Sequence, residues 1–214
     1  MISLPVPLPF TAYLLAGMLV AVPLVMWVAR LSPAGAGWRV GGWPTLALGV
    51  GWGTLLGAGV AGWMWLLLRT GNYLPIPAWA SSTDWAMAVA AVPIVEELFF
   101  RGALFGSLRR TWSLSWAVIL SATADGIVHS AQPWVAVQFA AAVGYALAFR
   151  QSGSILTPML AHAMAVAVLL LTRAYPAAVM EMSPRLLLIA AGVGVALIVI
   201  GVVGRSRDKG ANGF

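Results

Sequence analysis

Residues 85–108 read WAMAVAAVPIVEELFFRGALFGSL. The stretch is long enough to cross a bilayer as one helix, which takes about 20 mostly apolar residues. Yet Glu96, Glu97 and Arg101 sit at its centre, and ionised side chains inside hydrocarbon are rare, face the interior and default to a functional role. Both the fold and the chemistry turn on whether the rest of the chain is also membrane-like.

It is. Of 214 residues, 61% are hydrophobic and only 8% are charged. An ordinary soluble domain carries about 25% charged residues. The composition predicts an all-α, polytopic membrane helix bundle spanning residues 1–214 as a single domain. Seven segments are apolar enough to cross: roughly 12–29, 43–68, 85–108, 112–130, 133–149, 154–171 and 186–203. The leading MISLPVPLPF lacks a basic n-region and reads as a lead into the first span. The longest gap holds the proline-punctuated NYLPIPAWASSTD.

The net charge of +6 comes from basic residues scattered singly or in pairs between apolar runs. That is a topology signal, not a nucleic-acid surface. Arg30, Arg39, Arg109, Arg110, Arg150, Arg205, Arg207 and Lys209 fall on one side; Arg69, Arg173 and Arg185 fall on the other. The excess predicts a cytoplasmic C-terminus and an external N-terminus in a cell membrane. Trp43, Trp63, Trp65, Trp85, Trp112 and Trp134 lie near span ends, as in an interfacial belt. With no cysteine in the chain, disulfides and thiolate chemistry are excluded. In the second span Gly49, Gly53, Gly57 and Ala61 recur every four residues, a ridge of small side chains that lets a neighbouring helix come close.

The chain holds six acidic residues and two histidines. Glu96, Glu97, Asp125, His129 and His162 all fall in spans or at a span end. Glu97 and Arg101 are four residues apart, acid first, so they share a helix face and can neutralise each other. Glu96 points about 100° away and is the freer carboxylate, a candidate general base or acid. Asp125 and His129 are also four apart, so the aspartate can orient the imidazole. His162 follows Pro158 by four residues; the proline removes a backbone donor and is expected to open the helix locally, and the Thr157 hydroxyl is placed to cover the freed carbonyl. A core histidine is usually just a satisfied packing residue, but three helices delivering titratable groups into a bundle nearly devoid of them favour function.

Glu-Glu-x-x-x-Arg on one span, a histidine about thirty residues on and a second about thirty further resemble the CPBP family. These are the CAAX-protease and bacteriocin-processing (Abi) intramembrane proteases. The resemblance covers about residues 85–171 and rests on EELFFRG and TPMLAHA. It implies a glutamate-type endopeptidase in which Glu96, with His129, activates water and His162 holds the oxyanion. The substrate would be a membrane protein or peptide, or a C-terminally tagged protein, and no cofactor is needed. Two positions depart from the family pattern. Asp125 stands where an aromatic is usual, four residues before the second-motif histidine. Val166 stands where an asparagine is usual, four residues after the last, and valine cannot donate a hydrogen bond. Loss of one oxyanion donor typically costs about 100–1,000-fold in turnover.

Three other readings compete. One glutamate and two histidines are a common zinc set, which would make Glu96, His129 and His162 ligands and leave the base to Glu97. A non-catalytic scaffold, regulator or bacteriocin-immunity protein of the same fold would retain the polar core for packing. A proton-coupled transporter would use the same groups as a relay, but no internal repeat of the transporter kind is visible.

Overall fold

In a computed structural model, residues 8–28, 30, 32, 37–38, 41–71, 86–129 and 135–211 are described. The 69–84 loop beyond Gly71 and the HSAQPW turn beyond His129 lie outside them, as do Arg39, Trp85 and Trp134. Among the described residues all regular structure is helical. Helix α1 is Leu8–Val28 and α2 is Trp43–Arg69. Helix α3 is a continuous rod of four segments, Met87–Ala91, Val92–Glu97, Leu98–Phe105 and Gly106–Thr111. Then follow α4 (Leu114–Val128), α5 (Val135–Ser152), α6 (Leu156–Ala174), the short α7 (Pro176–Glu181) and α8 (Pro184–Ala211). The seven long helices correspond to the seven expected apolar segments; α7 is an addition within the 172–185 connection.

Helices α2, α6 and α8 are each long and apolar enough to cross a membrane. The outer surface is correspondingly apolar: Leu188 is 73% exposed and Ile189 62%. Four charged groups behave in the opposite way: Glu96, Glu97, Arg101 and Asp125 are buried. A soluble protein cannot tolerate that inversion, whereas lipid covers such a surface without cost. The molecule is a membrane helix bundle.

The glycine ridge of α2 is the central contact. Gly49 faces Leu160 and Thr157, Gly53 faces Met164 and the Ala161 backbone, and Gly57 faces Val168. Residue numbers rise together along both helices, so α2 and α6 run parallel. On the other side of α2, Gly51 meets Gly194 and Ile198 of α8, and Leu48 meets Gly201. Here the numbers run oppositely, so α2 and α8 are antiparallel. Both directions agree with alternating crossings. Small residues on both flanks let α2 sit wedged between its partners at backbone distance.

The basic residues sort by contact as their sequence positions predict. Arg110 donates to the Arg30 carbonyl at 2.8 Å, and the Ile155 amide donates to the Gly37 carbonyl at 2.9 Å, so these ends share a face. Arg69 reaches the Met180 carbonyl at 3.4 Å at the other end of α2. Trp43 and Trp112 are each at least half exposed near helix ends, where an interfacial belt places them.

Two local features shape the site. Pro93 lacks the amide that would bond back to Val89. The chain passes it through a π turn, with the Val92 amide donating to the Met87 carbonyl. A second, longer π segment, Leu98–Phe105, contains Arg101; such insertions are frequent at functional sites. Between α5 and α6, Gly153 adopts a left-handed φ of 63°, the conformation that closes a helix and costs glycine least. Pro158 is the third residue of α6, where the missing amide would have no helical acceptor anyway. It therefore does not open the helix, and the Thr157 hydroxyl instead donates to the Thr45 carbonyl of α2 at 3.3 Å.

Candidate active site

Arg101 is the hub. It is fully buried, and its Nη1 lies 3.2 Å from Glu97 Oε1 and 2.6 Å from Asp125 Oδ2. Its Nη2 donates to the Ala142 carbonyl of α5 at 2.8 Å. The expected Glu97–Arg101 pair is present, and Asp125 joins it. The guanidinium thus ties α3 to α4 and α5 at one point. The fork geometry and permanent charge of arginine suit it to hold two carboxylates at once.

Each of those carboxylates holds one histidine. Asp125 Oδ1 is 3.2 Å from His129 Nδ1, and the Asp125 carbonyl is 3.0 Å from the same nitrogen. Glu97 Oε1 is 2.9 Å from His162 Nδ1. Carboxylates when ionised, and carbonyls always, only accept hydrogen bonds. The chemistry of the partners therefore puts the Nδ1 proton on both rings. Sequence spacing had tied Glu97 to Arg101 alone; in the fold it also fixes His162.

Both Nε2 atoms then face Glu96. His129 Nε2 is 3.3 Å from Glu96 Oε1, and His162 Nε2 is 3.8 Å from Glu96 Oε2. Adjacent residues on α3 thus reach different helices. Glu97 takes the α6 histidine and Arg101, and Glu96 lies between the two rings. Glu96 Oε2 is buried and makes no hydrogen bond within the protein. His129 is the C-cap of α4 and the most open member, with its side chain 19% exposed. Its place at the helix end lets the ring fold back over the last turn toward Asp125.

The six residues singled out from the sequence, Glu96, Glu97, Arg101, Asp125, His129 and His162, meet in one cluster. Two further side chains belong to it. Tyr145 stacks on the His162 ring with centroids 4.6 Å apart and 18° between planes. It also lies under the Arg101 guanidinium, at 5.2 Å. Gln138 Nε2 donates to Asp125 Oδ1 at 3.1 Å. Both lie on α5, seven residues apart and so on one face. The signal that could have found them is a polar side chain inside an otherwise apolar span.

A metal would find a different set from the one expected. Glu96, Asp125 and His129 present ligand atoms within 4.8 Å of one another. His162, whose Nδ1 is held by Glu97, is not in that group, and Asp125 stands in its place.

Residues 77–168 match the family described as type II CAAX prenyl endopeptidase Rce1-like. This segment is similar to that family. It contains the whole titratable cluster, and with it the resemblance to CAAX-type proteases extends from the motifs to the intervening helices. The match supports a CAAX-type intramembrane protease. No curated protein and no solved structure matches the chain.

Beside the cluster is a small cavity of about 50 Å³, lined by His162, Tyr145, Gln138 and Val166 among others. Val60, Trp63, Val137 and Ala141 are common to its wall and to a wider groove of about 480 Å³ between α2 and α5.

Proposed function

We propose that the protein is a glutamate-type intramembrane endopeptidase that hydrolyses a peptide bond of a membrane-associated or C-terminally tagged protein. One observation carries the reading: the Glu96 carboxylate lies between the Nε2 atoms of two histidines, with Oε2 buried and making no hydrogen bond within the protein. A base so placed can take the proton of a water attacking a carbonyl carbon held beside it. His129 fixes the other oxygen of Glu96. His162 donates from Nε2 to the tetrahedral oxyanion; its Nδ1 proton is already committed to Glu97, so this step needs both ring protons. Glu96 then returns its proton to the departing amine as the C–N bond breaks. The products are a carboxylate and a free amine, and no acyl-enzyme forms.

Glu97 and Asp125 act at one remove. They hold the rings in the tautomer and rotation that point Nε2 at Glu96, as second partners of imidazoles do elsewhere. A metal reading uses Glu96, Asp125 and His129 instead. Against it, Asp125 is already 2.6 Å from a guanidinium, so a cation bound there would meet a second cation.

The test uses purified protein in proteoliposomes. The probe is a quenched-fluorescent peptide with a farnesylated cysteine followed by three residues, the C-a-a-X end, assayed beside the unmodified peptide. The reading expects cleavage by the parent protein, insensitive to chelators, and none by Glu96→Gln. Chelator inhibition reversed by zinc moves the assignment to the metal set. Cleavage by Glu96→Gln equal to the parent refutes it.

A further inference from the structure

We infer that Gln138 is the second oxyanion donor of this site, aimed by Asp125. The inference deepens the glutamate–water reading and rests on it. A tetrahedral oxyanion formed beside Glu96 needs donors on the cavity side of the cluster. Apart from His162, the cavity wall offers three polar side chains: Trp63, Tyr145 and Gln138. The Trp63 ring nitrogen is buried without a hydrogen-bond partner, so no contact aims it at the cluster. Tyr145 meets the cluster through its ring face, stacked on the His162 imidazole. Gln138, partly buried in the cavity wall, meets it through a polar atom, its amide nitrogen.

Its amide is oriented by charge. Asp125 Oδ1, 3.1 Å away, belongs to a carboxylate already paired with Arg101. An ionised carboxylate only accepts, so the amide nitrogen, not the oxygen, must face it. One N–H of the NH2 group is used there, and the second is left for the cavity. Asp125 thus fixes two groups at once, the His129 ring through Nδ1 and the Gln138 amide through Nε2. The assignment also gives Val166 a simple meaning. It lines the same cavity, and a donor on α5 leaves no need for one from α6 at that level.

The experiment compares Gln138→Leu, Gln138→Met and each combined with Val166→Asn, all in proteoliposomes with the peptides above. Glu96→Gln runs alongside. Removing one oxyanion donor lowers kcat by about 100–1,000-fold. The expected result is a loss of that order in kcat, with KM little changed and the melting temperature close to the parent's. Val166→Asn, which places an amide on the α6 side of the same cavity, should return at least about a tenth of the lost turnover. The assignment is overturned by an undiminished kcat, by a loss confined to KM, or by a kcat loss that Val166→Asn leaves unrelieved. If Glu96→Gln itself cuts the peptide, it is the glutamate mechanism that fails and not the placement of Gln138.

Discussion

Arg101→Met is the sharpest test of how the site holds together. Methionine fills most of the buried volume, so the change removes charge and donors and leaves little cavity. Glu97 and Asp125, both with side chains fully buried, would lose contacts of 3.2 and 2.6 Å. The Ala142 carbonyl would lose a 2.8 Å donor. Breaking one buried ion pair costs about 3–5 kcal/mol, because the stranded charge stays out of water. Against a net stability of about 5–15 kcal/mol, that is about a fifth or more of the total. On the scale of a 150–250-residue domain, each kcal/mol moves the melting temperature by about 2–4 °C. The expected fall is therefore roughly 6–20 °C, read by size-exclusion chromatography of heated detergent samples. The cause can be separated from mere loss of contacts. Arg101→Met with Glu97→Gln and Asp125→Asn removes every stranded charge and should recover most of the lost stability, since neutral replacements of buried ion pairs are often tolerated. Activity should stay absent, because neither histidine is then held by a carboxylate. A single Arg101→Met protein melting within about 2 °C of the parent, or a triple variant no more stable than the single one, would refute the hub.

Glu96→Gln should fold and insert as the parent does while losing activity, whereas Glu97→Gln should lower folded yield as well, because Glu97 is fully buried against Arg101 and His162; the reverse pattern means that the two roles are exchanged. Gly53→Ala should destabilise by about 1–3 kcal/mol and slow turnover, because its Cβ would meet the Ala161 backbone at 3.2 Å, next to His162, while Gly59→Ala, with nothing within 4 Å, should do neither. For topology, Ser183 and Ser113 are both exposed and lie in opposite connections. In intact cells a membrane-impermeant thiol reagent should label Ser183→Cys, and should label Ser113→Cys only after permeabilisation; the opposite pattern inverts the charge-based orientation.

The fold was legible because lipid imposes a simple rule, long apolar runs, and this chain obeys it with few exceptions. The cluster was legible for the converse reason: Glu96, Glu97, Arg101, Asp125, His129 and His162 stand out against an apolar background. Spacing within one helix found Glu97–Arg101 and Asp125–His129, since both pairs sit one turn apart. It could not find Arg101–Asp125, Glu97–His162 or Gln138–Asp125, which are contacts between helices. Nor could periodicity reveal the π segment at Leu98–Phe105, because its backbone register departs from 3.6 residues per turn while its composition stays apolar. Pro158 misled for a related reason. A proline breaks a helix only in its interior, and the start of α6 at Leu156 is set by Gly153 and the serines beside it.

The charges inside the apolar run of α3 now have a single account. Counting turns along straight helices puts Glu96, His129 and His162 at different depths. Termination of α4 at Val128 lets the His129 ring turn back toward Asp125, and the glycine ridge of α2 fixes α6 at backbone contact so that His162 lies against Tyr145 and Glu97. Arg101 then joins two arms of the same construction, carboxylate to Nδ1, with both Nε2 atoms directed at Glu96. Neither arm is stable in hydrocarbon without the guanidinium. The same ionic core therefore secures the bundle and aims the proposed base, so changes to Glu97, Arg101 or Asp125 should move stability and catalysis together. Glu96 is the member whose free oxygen contributes no hydrogen bond to the fold, and so the place where the two can be separated.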